Sequence, residues 1–471
     1  MYLKDQPMFL NTAIKVETSL SPIALQKLLK RIEIELGRVF TEDKNGPRII
    51  DLDILLYDSL VIETAELTIP EPGMETRHFQ LQPIIDMDPF VVHGKLNSSV
   101  CMLSRELITI KGIVNDLVQV MPLSNSEENG SNPFVSVHSH QNNTLIMGMT
   151  DVFDESFNHV GKFDSFDEAV RHSMNLFKEG ADIIGIFSQS KHACFNRFGP
   201  EEEAKILVPI IEGVINESKN YENKPIISVN TSDARVAQKV LDAGADIICN
   251  ISDSDSGNGV FNVAAEYGCP LILTHTRDDS KAIPGIEEYD EKFKTDEISQ
   301  LTRMNDIILS IRYDLSKKVK EALSNGVPRF NIILDPGIEF KKSFEQGFEI
   351  LKRLRELTNE QLYSMSGVSC LLQDLDGKLS NSYNKKNKNI IASSQFHEQL
   401  FASLIGFPVI VGSSRYEYTM ETKKEKFCAD NIIESIVAVT SAIQGNATIV
   451  RVHDVEPTLN TVRLFDKIYR N

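Results

Sequence analysis

From residue 144 onward the chain alternates between two kinds of apolar pattern. Short, nearly continuous apolar runs recur at Thr144–Thr150, Asp182–Phe187, Pro225–Asn230, Asp246–Ser252, Leu271–Thr276, Asn331–Leu334, Pro408–Gly412 and Thr448–His453. Each has the length of a strand buried on both faces. Segments with apolar positions at helical spacing follow them: Asp167–Lys178, Glu201–Ser218, Ala234–Ala243, Val260–Tyr267, Asn305–Ser324, Phe344–Leu357, Asn431–Gln444 and Leu459–Tyr469. Gly180, Gly244, Gly268 and Gly326 stand just past helix ends, where a left-handed cap suits a residue without a Cβ. Eight strand–helix units in roughly 330 residues predict an α/β TIM barrel, (β/α)8, over 144–471.

The first 123 residues read differently. Phe9–Glu17 and Asp51–Tyr57 have strand character, and Pro22–Leu36 carries apolar positions at helical spacing behind Ser21, a candidate N-cap, which is an α+β texture. Residues 124–143 are rich in Ser, Asn and Gly and are read as a linker. Residues 358–406 are polar and are read as a surface insertion in the barrel.

Composition narrows the function. A chain of 471 residues predicts two domains. A formal charge of −18 argues against nucleic-acid or anionic-membrane partners, while a local basic pocket for a small anion is compatible with it. Six scattered cysteines, with no Cys-x-x-Cys pair, predict reduced thiols rather than a disulfide or zinc framework. No signal-peptide core or membrane-length apolar window is seen, so an intracellular, soluble protein is expected, with cytoplasm and mitochondrion unresolved.

Two stretches carry candidate chemistry. Phe330–Lys342, FNIILDPGIEFKK, delivers Asp335 to the C-terminal end of a buried strand, and in a parallel barrel that end carries the site. Gly46-Pro47-Arg48-Ile49-Ile50-Asp51-Leu52-Asp53 puts two carboxylates on one face of an extended segment, a spacing that suits Mg2+. By itself that pair also fits a solvated strand face.

With its neighbours the N-terminal pattern is more specific. Asp5-Gln6-Pro7, Phe9-Leu10-Asn11, Gly37-Arg38, Gly46-Pro47-Arg48, Asp51, Asp53, Pro70, Arg77 and Phe79 together resemble 6-hydroxymethyl-7,8-dihydropterin pyrophosphokinase, a ferredoxin-like α+β enzyme, over residues 5–89. The resemblance implies a partial domain of that fold in which Asp51 and Asp53 hold Mg2+. Arg38, Arg48 and Arg77 would neutralise the phosphates of the co-substrate ATP, Asn11 would bond the pterin edge, and Phe9 and Phe79 would sandwich its ring. Glu71 stands where that family has His.

The barrel resembles dihydropteroate synthase, which joins a pterin methyl carbon to p-aminobenzoate and releases diphosphate. The match is carried by Ile146-Met147-Gly148, Ala181-Asp182-Ile183-Ile184, Ala243-Gly244-Ala245-Asp246, Leu334-Asp335-Pro336-Gly337, Gly412-x-Ser414-Arg415 and Arg451-Val452-His453-Asp454. The fused order is that of bifunctional folate-synthesis enzymes of eukaryotes. By resemblance Asp335 grips the pterin's amino-amide edge, Arg451 and His453 bind diphosphate, Arg415 lines the pocket, and the late helices pair barrels into a homodimer. At other positions the residue types differ. Asp151 replaces a metal-binding Asn, Asn230 a pterin-binding Asp, Cys249 an Asn and Tyr416 a Lys, while Ser190-Lys191-His192-Ala193 replaces Ser-Thr-Arg-Pro, with Lys191 keeping a cation there. These departures leave a second reading open, a catalytically inactive pterin-binding protein or assembly partner. Arg451 and His453 could also serve an ion pair with Asp454, and His275 and Arg277 read equally as functional or structural.

Overall fold

The computed structural model describes residues 9–39, 48–88, 91–111, 120–123, 134–136, 144–152, 163, 165–188, 199–251, 258–276, 307–340, 342–358, 404, 406–412 and 432–469. The chain divides into two compact units, Met1–Leu117 and Val118–Asn471.

In the first unit α1 (Pro22–Glu35) starts where Ser21 Oγ accepts the amide of Ala24, with Pro22 in the first turn where its missing N–H costs nothing. Two-residue antiparallel pairs follow, β1 (Ile62–Glu63) with β2 (Thr68–Ile69) and β3 (Val92–His93) with β4 (Ser98–Ser99). Helices α2 (His78–Met87) and α3 (Val100–Lys111) pack Leu81, Ile84, Val100, Leu103 and Leu107 around the buried Met74. Residues 9–17 and 51–57, expected as strands, run without a sheet ladder. An extended segment becomes a strand only where a neighbour supplies partners for its amides, and none does so among the described residues.

The second unit is the barrel. Its strands are β7 (Leu145–Asp151), β8 (Ile183–Phe187), β9 (Ile226–Asn230), β10 (Ile247–Asn250), β11 (Leu271–Thr274), β12 (Ile332–Asp335), β13 (Ile410–Gly412) and β14 (Ile449–Val452). They form one parallel sheet in the order β12-β11-β10-β9-β8-β7-β14-β13. The bridge of Leu334 to Val409, with Leu334 N donating to Pro408 O at 2.9 Å, joins its two ends. Helices α4 (Phe166–Lys178), α5 (Pro200–Ser218), α6 (Ala234–Asp242), α7 (Asn258–Tyr267), α8 (Ile307–Ser324), α9 (Phe344–Arg353), α10 (Ile432–Gln444) and α11 (Val455–Tyr469) surround it. Ser165, Asp233 and Ser343 cap α4, α6 and α9. The four glycines read as caps all take positive φ, led by Gly180 and Gly244 at 104°.

Alternation along each strand sorts the core into two layers. Ile146, Ile184, Ile248, Leu273, Leu334 and Val450 face the helices, whereas Met147, Ile183, Ile247, Ile272, Ile333, Ile410 and Ile449 fill the barrel interior. Met121 and Leu123 on one side of a hairpin and Val135 on the other pack into that interior cluster. That hairpin joins β5 (Val120–Pro122) to β6 (Phe134–Ser136), so part of the stretch read as a linker is a paired strand. Apart from Thr358, Leu404 and Gly406, the insertion read at 358–406 lies outside the described residues. Among the described residues, no helix is long and apolar enough to cross a membrane.

Candidate functional site

The same period of two that buries Ile333 and Ile449 inside the barrel turns Asp335 and Arg451 inward one step later, at the C-terminal end of each strand. By that parity Asp151, Phe187, Asn230, Cys249, Thr274 and Gly412 share the inward face. An apolar interior therefore ends in a layer that every strand lines, polar except at Phe187, Cys249 and Gly412.

Asp335 and Arg451 are the centre of that layer. Asp335 is 0% exposed and Arg451 1%. Gly337 N donates to Asp335 Oδ1 at 2.8 Å, Thr274 Oγ1 donates to Oδ2 at 3.2 Å, and Arg451 Nη1 lies 3.0 Å from Oδ2. An ionised carboxylate offers about four acceptor positions, so these partners leave one. Arg451 meets a second acid, since Nη2 donates to Glu339 Oε2 at 3.2 Å. The rings of Phe187 and Phe340 lie 5.8 and 5.4 Å from its guanidinium carbon. Burial works against this charge, yet Asp335 and Glu339 outweigh it and hold the arginine's pKa above its ordinary value. Its Nε makes no hydrogen bond among the described residues.

Two glycines make room for the pair. A Cβ on Gly412 would stand 2.5 Å from Arg451 Nη2 and 2.7 Å from the Glu339 carboxyl carbon. Gly337 has φ 67°, and a Cβ there would fall 2.0 Å from His275 O. Lys342 Nζ ties the turn down by donating to Gly337 O at 3.2 Å and Phe340 O at 3.1 Å.

Cys249 Sγ is 3.7 Å from Thr274 Oγ1 and so joins the Asp335 network, while Asn230 is its partner in register on β9. Burial pushes the Cys249 thiol up to about 12, so it is protonated at neutral pH. His453 Nε2 and Asp151 Oδ2 face one another at 3.0 Å. Among the described residues the ion pairs of Arg451 run to Asp335 and Glu339. His275 points the other way, into the strand–helix layer. Its Nε2 donates to Asp314 on α8 at 3.0 Å, and burial, helped by Lys342, pushes its pKa down to about 4. The neutral imidazole thus keeps its proton on Nε2, the nitrogen facing a carboxylate that can only accept. Lys191, Arg277, Arg415 and Tyr416 lie outside the described residues.

In the N-terminal unit the two acids of Asp-x-Asp converge. Lys30 Nζ is 3.8 Å from Asp51 Oδ1 and 3.8 Å from Asp53 Oδ1. Arg38 pairs with Asp51, and with Glu33 at 2.7 Å, while Arg48 reaches Asp51 at 2.8 Å. The carboxyl of Asp53 is held above its usual range by burial and by Asp51, so a cation placed between the two is favoured. The Lys30 ammonium, equidistant from both acids, supplies that cation here. Arg77 stands 3.7 Å from Glu71, whose pKa is raised by burial and by Asp53. Phe9 is 46% exposed, Asn11 Nδ2 donates only to Phe9 O, and neither residue is brought against Phe79 by a ring contact or hydrogen bond among the described residues.

Lys30, Glu33 and Glu339 enter these clusters without having been singled out from the sequence. Glu33 had one signal, an acid on the inner face of an amphipathic helix. Glu339 had none beyond its place four residues after Asp335.

Comparison with known proteins gives a consistent set of matches. The pterin binding enzyme family matches residues 147–399, and the 7,8-dihydro-6-hydroxymethylpterin-pyrophosphokinase family matches residues 1–89. The mitochondrial folate synthesis bifunctional protein of Pisum sativum is 30% identical over 484 residues, covering 100% of this chain and 81% of its own length. The folic acid synthesis protein fol1 of Pneumocystis carinii is 30% identical over 470 residues, and this chain spans 54% of it. The solved structure of Xanthomonas albilineans dihydropteroate synthase with 4-aminobenzoic acid shares the barrel fold, at TM-score 0.51 and 20% identity over 74% of this chain and 98% of its own.

Proposed function

The chain belongs to the pterin-binding enzyme family, with a hydroxymethyldihydropterin pyrophosphokinase region ahead of its barrel, and on that premise we propose that it carries out two successive steps of folate synthesis. The barrel condenses 6-hydroxymethyl-7,8-dihydropterin diphosphate with p-aminobenzoate. The N-terminal unit supplies that substrate by transferring diphosphate from ATP to the pterin's hydroxymethyl oxygen.

One observation carries the barrel reading: a buried acid and a buried arginine side by side at the C-terminal ends of their strands, with Nε of the arginine unused. The remaining acceptor position of Asp335 suits an amino or ring N–H donor of a pterin, and a charge-assisted bond of that kind is worth about 1.5–3 kcal/mol. Nε of Arg451 suits a phosphate oxygen, with His453 next in line. In the condensation the aryl amine's lone pair forms the C–N bond to the pterin methylene as the C–O bond breaks. The electron pair leaves on diphosphate, and the amine gives up a proton. Stabilising the departing charge is the task of Arg451, while Asp335 orients the ring. Asn230 and Cys249, neighbours across β9 and β10, give the pterin pocket an amide and a protonated thiol instead of further acids.

In the N-terminal unit Asp51 and Asp53 would hold Mg2+, which when bound neutralises phosphate charge. Arg38, Arg48 and Arg77 would take phosphate oxygens, and Phe9, Phe79 and Asn11 the pterin. Asp151 would give a metal ion in the barrel one carboxylate.

Turnover decides the matter. Purified protein given dihydropterin diphosphate, p-aminobenzoate and Mg2+ is expected to form dihydropteroate. In a separate reaction ATP and hydroxymethyldihydropterin are expected to yield AMP. Ligand binding with no product in either reaction would sink the catalytic reading and leave a pterin-holding protein.

A further inference from the structure

The Arg451 guanidinium faces two carboxylates within the barrel mouth, so the three groups carry a net charge of −1 where an anion is to bind. Asp335 is fixed at the strand end by Gly337 N and Thr274 Oγ1. Glu339 stands on the turn after the strand, with a longer side chain whose Oε2 is 3.2 Å from Arg451 Nη2. Gly412 leaves open the space in which they meet, since a Cβ there would collide with both. Arg451 is 1% exposed and the Glu339 side chain 4%, so a ligand group that reaches the guanidinium must replace a neighbour. The neighbour that a phosphate oxygen matches in charge and geometry is the glutamate carboxylate.

We propose that Glu339 is a built-in stand-in for the substrate's diphosphate, holding the anion seat on Arg451 until a polyanion displaces it. It rests on the reading of Arg451 as the diphosphate-binding cation and adds a specificity rule to it. A single weak anion does not displace a carboxylate already in place, whereas a diphosphate, with more charge and several acceptor oxygens, does. The seat therefore selects polyanions over monoanions, and Glu339 sets the threshold.

The test titrates inorganic pyrophosphate into the full chain and its variants by calorimetry. Glu339→Gln keeps the shape and removes the competing charge, and is expected to bind pyrophosphate at least tenfold more tightly than wild type. Glu339→Asp keeps the charge and should stay within about threefold of wild type. Should Glu339→Gln fold poorly, Glu339→Ala takes its place with the same expectation. The gain should vanish when Arg451→Gln is added, which separates the barrel mouth from Arg38, Arg48 and Arg77. Equal or weaker binding by the charge-removed variants, or a gain that survives Arg451→Gln, overturns the proposal. A parallel titration with 6-hydroxymethylpterin, which has no diphosphate, separates the two ideas. Pterin binding with no pyrophosphate gain sinks the role of Glu339 alone. A gain without pterin binding leaves that role standing and sinks the pterin reading.

Discussion

Asp335 and Arg451 in the barrel are 0% and 1% exposed, whereas Lys30, Asp51 and Asp53 of the N-terminal unit keep 35%, 30% and 38% of their side chains in water. Both clusters mix acids with cations, and both are read as phosphate-handling sites. Their energetics differ because solvent screens one and hardly reaches the other. In the barrel each charge depends on its partner, since an unpaired ion there has no water to turn to. In the N-terminal unit Lys30, Asp51 or Asp53 can be lost and water takes its place, so these three can rearrange around a metal ion at little cost, while Glu33, 0% exposed, stays fixed beneath them. A buried pair fixes geometry, and an exposed network adapts.

The sharpest way to break this contrast is Arg451→Met. It leaves two buried carboxylates facing one another, and chemical denaturation should register a loss of about 3–5 kcal/mol. A loss under about 1 kcal/mol would mean that water enters the mouth and the contrast fails. The next effect depends on pH. His275 has a pKa of about 4 in the folded protein and about 6.5 when unfolded, so between those values the unfolded chain binds more protons. Stability should rise with pH through that window and be lost on acidification from about 6.5 to 4, by up to about 3 kcal/mol. His275→Gln, which can still donate to Asp314, should flatten this dependence, and an unchanged profile would refute the assignment. Gly337→Ala should cost about 1–3 kcal/mol, because φ 67° and the 2.0 Å approach to His275 O both resist a Cβ. Smallest is Lys30→Ala. Its stability change should stay below about 1 kcal/mol, while Mg2+ binding to Asp51 and Asp53, followed by calorimetry, should tighten several-fold as the competing ammonium disappears. Weaker Mg2+ binding would mean that Lys30 organises the site rather than filling it.

Much of the barrel was legible because buried parallel strands are written as continuous apolar runs, and all eight appear within a residue or two of their expected places. Asp335 was legible for the same reason, being the acid at which such a run stops. Direction was harder to read. A run apolar on both faces does not say which residues point inward, so His275 could not be separated from the mouth until Ile272 and Thr274 fixed the parity. Glu339 was hidden because its partner Arg451 is 112 residues away, and turn residues have no periodicity to announce their direction. In the N-terminal unit the arginines and aspartates were found by spacing, while Lys30 lay on a helix face where a lysine ordinarily means solvent. The extended segments 9–17 and 51–57 had the composition of strands. Composition reports a preference for a pleated surface and leaves open whether a partner is present.

The most direct measurement is a calorimetric titration of dihydropterin diphosphate with Mg2+ into wild type and Asp335→Asn, each checked for folding by its thermal transition. If the barrel mouth is the pterin site, wild type binds saturably, and the variant, which offers an amide in place of a charged acceptor, binds roughly 10–100-fold more weakly. Equal affinities in two folded proteins, or no binding to either, would contradict the account.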